Sequence, residues 1–147
     1  MPGRNRTGKS RRLVLEGRSM GPFVLPGSAV HVRPIAERPI RLGDILCYIG
    51  PDKRVIAHRV IGIERQGDDT WYRARGDAHT ASERIAPHYG LYRVERVESA
   101  LLSYDTDGAV GRAIARFQLR DGRLWEGMRR LTREGWRLAC AVRSAMR

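Results

Sequence analysis

The chain has 147 residues, 41% of them hydrophobic and 30% charged, with a formal net charge of +12. That length suffices for one domain with a real core, and no window approaches the roughly 18 consecutive apolar residues of a membrane-spanning helix. Sixteen glycines and seven prolines favour short strands and many turns over a helical bundle.

The charge sits at the ends. Residues 1–12 carry five basic side chains and no acid, and residues 112–147 carry ten arginines against three acids. The segment between them holds equal numbers of basic and acidic side chains. Such ends suit an anionic partner or a solvated surface. The basic start is followed only by the run "LVL", too short for a secretory apolar region of about 7–15 residues. With neither a spanning segment nor a signal peptide, the chain is expected to be cytoplasmic or peripherally membrane-associated. Cys47 and Cys140 lie in the apolar contexts "DILCYIG" and "LACAV". They are expected to be buried free thiols, with no histidine at ligand spacing from either, so neither a metal nor a cofactor is expected.

In chain order, residues 1–12 read as a flexible basic tail. Residues 13–100 read as a β domain of short strands separated by turn chemistry. "RLVLE" is followed by a loop holding Ser19, and "AVHVRP" runs into a proline-rich connection. "GDILCYIG" ends at the turn signal "GPDK". "RVIAHRVIGIE", the longest β-branched run, ends at "RQGDD". "TWYRAR" leads into "GDAHTASER", and "YGLYRVERVE" closes the set. Residues 101–147 read as a basic helical extension. There Leu124, Met128, Leu131, Leu138, Val142 and Met146 fall near helical spacing, with Glu126, Arg130, Arg133 and Arg137 opposite and Trp125 and Trp136 widening the apolar side. One or two amphipathic helices are expected, broken near Gly122, either packed on the β body or lying on anionic lipid.

Ser19 stands between Gly17 and Gly21, with Pro22 and Pro26 following. A serine hydroxyl is a poor nucleophile until a neighbouring base accepts its proton. Of the four histidines, His31 lies in the next strand after Ser19, and His79 and His88 lie in loop-like stretches. His58 lies mid-strand, sharing a face with Ile56 and Val60 by period-two alternation. Partial desolvation there would hold a neutral imidazole suited to general-base work. The same setting equally suits a buried structural histidine.

Four stretches in this order resemble the catalytic domain of type I signal peptidases, within the larger group that includes the self-cleaving SOS-response repressors. "GRSMGPFVLPGSAVHV" resembles the nucleophile box, "RLGDILCYI" the first Gly-Asp box, "RVIAHRVIGI" the general-base box, and "YRARGDAHTASE" the last box, with its second acid six positions after the first. The match runs from about residue 15 to 98. The resemblance implies a mainly β fold, a coiled β-barrel of signal-peptidase/SOS-repressor type, carrying the C-terminal helical extension. Having His58 where many relatives have lysine is similar to the Ser-His branch found in endoplasmic reticulum, archaeal and some spore-forming bacterial enzymes.

The resemblance implies Ser19 as nucleophile and His58 as base. Asp77 is its first choice of acid to orient the imidazole, with Glu83 the alternative, standing where that branch commonly has aspartate. Asp77 can also be read as a turn acid, and Asp44 is read as one. Met20 would line the floor of the site. Gly17 stands where some relatives carry a hydroxyl donor to the oxyanion, which leaves the Ser19 N–H as donor. The expected function is a serine endopeptidase acting on a protein or peptide precursor, with extended substrates and possible peripheral contact of the basic ends with anionic membrane. The alternatives are an SOS-type self-cleaving regulator, or a non-catalytic basic module binding anionic lipid or nucleic acid. Nucleic acid is the less expected partner, since neither a helix-turn-helix nor a stacking platform is present.

Overall fold

The structure is a computed structural model, and it describes residues 10–87 and 91–120. Residues 1–9 of the tail expected over 1–12, His88, Cys140 and the helical pattern from Leu124 to Met146 lie outside the described residues, while Arg11 and Arg12 of that tail belong to a strand.

Eight strands form one antiparallel sheet: β1 (Arg11–Leu15), β2 (Ser28–Pro34), β3 (Ile45–Ile49), β4 (Val55–Gln66), β5 (Asp69–Arg75), β6 (Glu83–Ile85), β7 (Tyr92–Glu98) and β8 (Ser103–Asp105). The order is β1-β2-β7-β3-β4-β5-β6, and β8 pairs with β7 beyond the end of β3. The sheet curls until β1, at one edge, comes back against β4. Among the described residues one α-helix, α1 (Ala109–Leu119), follows β8. The fold is therefore mainly β, a curled antiparallel half-barrel with a helix at its C-terminal side. Among the described residues no helix is long and apolar enough to cross a membrane.

Strand β3 shows why the sheet buries both faces. "ILCYI" has no polar side chain to alternate with, so its successive residues point into two different apolar clusters. Ile45 and Cys47 pack with Val30, Val32, Val94 and Ile114, while Leu46 and Tyr48 pack with Val60, Tyr72, Ala74 and Ile85. Cys47 is the buried thiol expected of it, and burial pushes it up to about 12, which keeps it protonated. Helix α1 closes the first cluster through Ile114 and through Phe117, whose ring meets Phe23 edge-on at 5.8 Å.

Strand β4 serves two partners in series. Its first part, Val55–Arg59, pairs with β3, and Arg59–Gln66 pairs with β5 on the opposite edge, with a bulge between Val60 and Gly62. Val55–His58 therefore has an edge that β5 does not cover. Among the described residues strand β1 pairs only with β2. These two unpaired edges face each other across a groove.

Candidate active site

The loop between β1 and β2 is closed at its base by Gly27 N–H donating to the Leu15 carbonyl at 2.7 Å. Gly27 has φ +82°, a left-handed value that favours glycine. Within the loop, Met20 and Val24 turn inward and are buried in the first cluster, anchoring the backbone that carries Ser19. The Ser19 carbonyl accepts a hydrogen bond from Ala78 N–H at 2.8 Å. The neighbouring Gly76 is pressed against it: a Cβ there would lie 2.6 Å from the Ser19 carbonyl oxygen and 2.9 Å from Ser19 Cβ. Gly76→Ala is accordingly expected to push the serine loop outward. The cost would be about 1–3 kcal/mol of strain, read as a drop in denaturation midpoint with a larger loss of any Ser19-dependent activity.

A groove of about 660 Å³ runs past this loop, lined by Val14–Gly17, Ser19 and Met20 on one side and by Val55–Ala57 with Asp52 and Arg54 on the other. Gly17 is exposed, with nothing within 4 Å of a Cβ built on it, so its smallness leaves the groove wall open.

His58 stands on β4 beside that groove, on the same sheet face as Val60. The pairing places Val60 opposite Ala74, and Ala74 opposite Glu83 on β6, so these three lie in one row across the strands. Ala74 is small and fully buried, and the Glu83 carboxylate reaches past it to His58 Nδ1. Tyr48 comes from β3: it pairs with Ile56 and is thus the diagonal neighbour of His58. Its hydroxyl donates to the same Glu83 oxygen and lies 3.2 Å from Nδ1. With Nδ1–H donating to the carboxylate, Nε2 keeps the lone pair that a base requires. Burial pulls the His58 imidazole below its ordinary value, against the opposing pull of Glu83. Burial and then Glu83 push the Tyr48 phenol up, so it stays a donor.

Asp77 lies elsewhere. Both its oxygens are taken by Arg59, at 2.8 and 2.7 Å, in a pair that is almost wholly buried. Arg59 follows His58 in the strand and so points to the opposite face, where its Nη1 also donates to the Gly43 carbonyl at 2.8 Å. The acid on the imidazole is Glu83, while Asp77 ties the turn that holds Ser19 to the body of the sheet. Asp44 is the turn acid expected, accepting from Arg41 N–H at 2.9 Å and also from the buried Arg93. His31 is engaged by Glu98 on the outer part of the sheet. Ser19 and His58 are not hydrogen-bonded to each other. They meet through the 76–79 turn, where the His79 ring stands edge-on to that of His58 at 6.2 Å.

No protein-family model matches the chain. Signal peptidase I W of Bacillus subtilis (strain 168) is 29% identical to it over 77 residues, which is 52% of this chain and 40% of that protein. The chain is thus distantly similar to a signal peptidase. It spans well under half the length of that curated relative. Among the described residues no group of three His, Cys, Asp or Glu side chains stands together as for a metal ion.

Tyr48 is a site residue that the sequence reading does not single out. The signal that finds it is the register of the β3–β4 hairpin, which requires the turn at Gly50–Arg54 to be fixed first.

Proposed function

We propose that this protein is a serine endopeptidase of signal-peptidase type, with Ser19 as nucleophile and His58 as general base. The observation that carries this reading is the half-buried imidazole, its Nδ1 fixed by Glu83 and Tyr48, beside an open-edged groove that Ser19 lines. An extended peptide entering the groove would add a strand between the free edges of β1 and β4. Ser19 Oγ attacks the scissile carbonyl while His58 Nε2 takes its proton, and the oxyanion forms against the Ser19 N–H. Collapse breaks the C–N bond, the proton passes from His58 to the leaving amine, and water then releases the acyl group by the same base. Hydrogen bonds to catalytic serines are often long before substrate binds, so the free enzyme need not hold Ser19 against the imidazole. Met20 secures the loop from below, and Gly17 supplies no side-chain donor. The substrate is a protein or peptide precursor, and the basic ends favour a peripheral site on anionic membrane.

The test is digestion of a peptide library followed by mass spectrometry, from pH 5 to 10, by wild type, Ser19→Ala and His58→Ala. Cleavage by wild type alone, rising through a midpoint below the usual imidazole value, supports the reading. A rise confined to pH above about 8 points to a lysine-like base and overturns the role of His58. No cleavage, together with salt-sensitive retention on anionic vesicles or DNA, favours a non-catalytic basic module.

Glu83→Gln has a signed expectation. The carboxylate favours the protonated imidazole, so its removal moves the acid limb of the activity profile to lower pH. The maximal rate falls as well, by about 10-fold to 100-fold, because the tautomer and the charge that stabilises the imidazolium are lost. A limb that stays in place would assign Glu83 no electrostatic part in the reaction.

A further inference from the structure

Three histidines of the described residues lie near or within the sheet, and the reaction proposed above uses only one. His31 is held by Glu98, away from the groove. His79 is different, because it touches both halves of the site. It sits on the turn after β5 whose Ala78 N–H binds the Ser19 carbonyl, and its own N–H closes the turn on Gly76 at 2.9 Å. Its Nδ1 is 3.2 Å from the point where a Cβ on Gly76 would stand, and that point is 2.9 Å from Ser19 Cβ. Its ring meets the His58 ring edge-on at 6.2 Å.

We propose that His79 is a positioning residue for this reaction: a second imidazole set against the base, whose charge opposes a second charge on His58 and so keeps the base free at lower pH. The inference rests on the Ser19–His58 reading of the site. Its physical basis is the difference in setting between the two rings. His79 is exposed, whereas the His58 side chain is 14% exposed. A positive charge costs less on the exposed ring, and once there it repels a second charge on its neighbour.

Two acids also face His58, and the His79 effect is a difference set on top of theirs. Glu83 from β6, shared with the Tyr48 hydroxyl from β3, pulls the opposite way and more strongly than His79. Asp77, on the same turn as His79, is neutralised by Arg59 from β4. The His79 charge also disfavours the imidazolium formed in the reaction, so it is useful only on the acid side, where the free base would otherwise be lost.

The experiment follows the histidine ring resonances of the full chain by NMR through a pH titration, in a Ser19→Ala background so that no cleavage intervenes. Three proteins are compared: His79 retained, His79→Gln and His79→Lys. Glutamine should raise the His58 midpoint, whereas lysine, which keeps a cation on the turn, should leave it where it was or lower it. With Ser19 present, His79→Gln should cut cleavage on the acid limb by about threefold, the worth of one like charge at ~6 Å in water, and leave the alkaline plateau unchanged. A His58 midpoint that ignores glutamine, or that rises equally with glutamine and lysine, overturns the proposal, the second pattern showing a packing effect. The ring titration needs no activity. Intact coupling without Ser19-dependent cleavage would therefore overturn the peptidase reading and leave the proton coupling between the rings standing, whereas lost coupling in an active enzyme would overturn the role of His79 alone.

Discussion

Ser19→Ala is expected to lower peptide cleavage at least about 1,000-fold and to leave the denaturation midpoint where it was. The two halves of this expectation have separate causes. The Ser19 hydroxyl is half-buried on the groove wall and makes no bond to His58, so its removal strands no polar partner. Stability should therefore change by less than about 0.5 kcal/mol. The loop keeps its shape because Met20 and Val24 anchor it and because the Ser19 carbonyl, which binds Ala78 N–H, belongs to the backbone. Activity is lost because the attacking oxygen itself is removed. His58→Ala should cost a similar factor, and the double variant no more than either single one, since nucleophile and base act as one unit. Independent, multiplying losses would show that the two residues do not share a step. The measurement is kcat/KM on a peptide selected from the library, beside urea denaturation of each variant.

Asp77→Ala is expected to be the most damaging single substitution for stability, at about 3–5 kcal/mol. The carboxylate is almost wholly buried and meets Arg59 through both oxygens, so its removal leaves an enclosed guanidinium without its counter-charge. For a chain of this size that loss corresponds to roughly 10–15 °C in Tm. The pair is nonetheless replaceable: Arg59→Met with Asp77→Leu should recover much of the loss, because a well-packed apolar pair avoids the desolvation that both charges suffer. Activity offers a second readout. The Asp77 turn carries the Ala78 N–H that fixes the Ser19 carbonyl, so even a folded double variant should cleave less well. A double variant as active as wild type would show that the turn does not position Ser19. Thermal unfolding by circular dichroism and kcat/KM together separate these outcomes.

The strand pattern was legible because β-branched runs and turn residues act locally. Six strands stand where their segments predict, from "RLVLE" to "YRVERVE". The two omitted strands, β6 and β8, are three residues each, too short to show any period, and they exist because a neighbouring strand edge is there to accept them. Helix α1 falls within residues 101–147, the stretch read as a helical extension, but that stretch opens with strand β8.

For the site, the resemblance carried by the order of the four boxes picks out Ser19 and His58 as candidates, whereas their own neighbours leave the serine an ordinary loop residue and the histidine open to a structural reading. Alternation alone also puts His58 and Arg59 on opposite faces of β4. What alternation cannot supply is the partner each one meets. Asp77 and Glu83 are both plausible acids by sequence, six residues apart in one box. The choice between them is made by the β4–β5–β6 register, which aligns Val60, Ala74 and Glu83 and carries the longer carboxylate across a small residue to the imidazole. Tyr48 enters by the register of a different hairpin. Residue chemistry and local periodicity are properties of the chain, and they determined which groups could react. Cross-strand register and the turn that returns residues 76–79 to Ser19 arise only when distant strands pair, and they decided which acid meets the His58 imidazole and which is spent on a buried arginine.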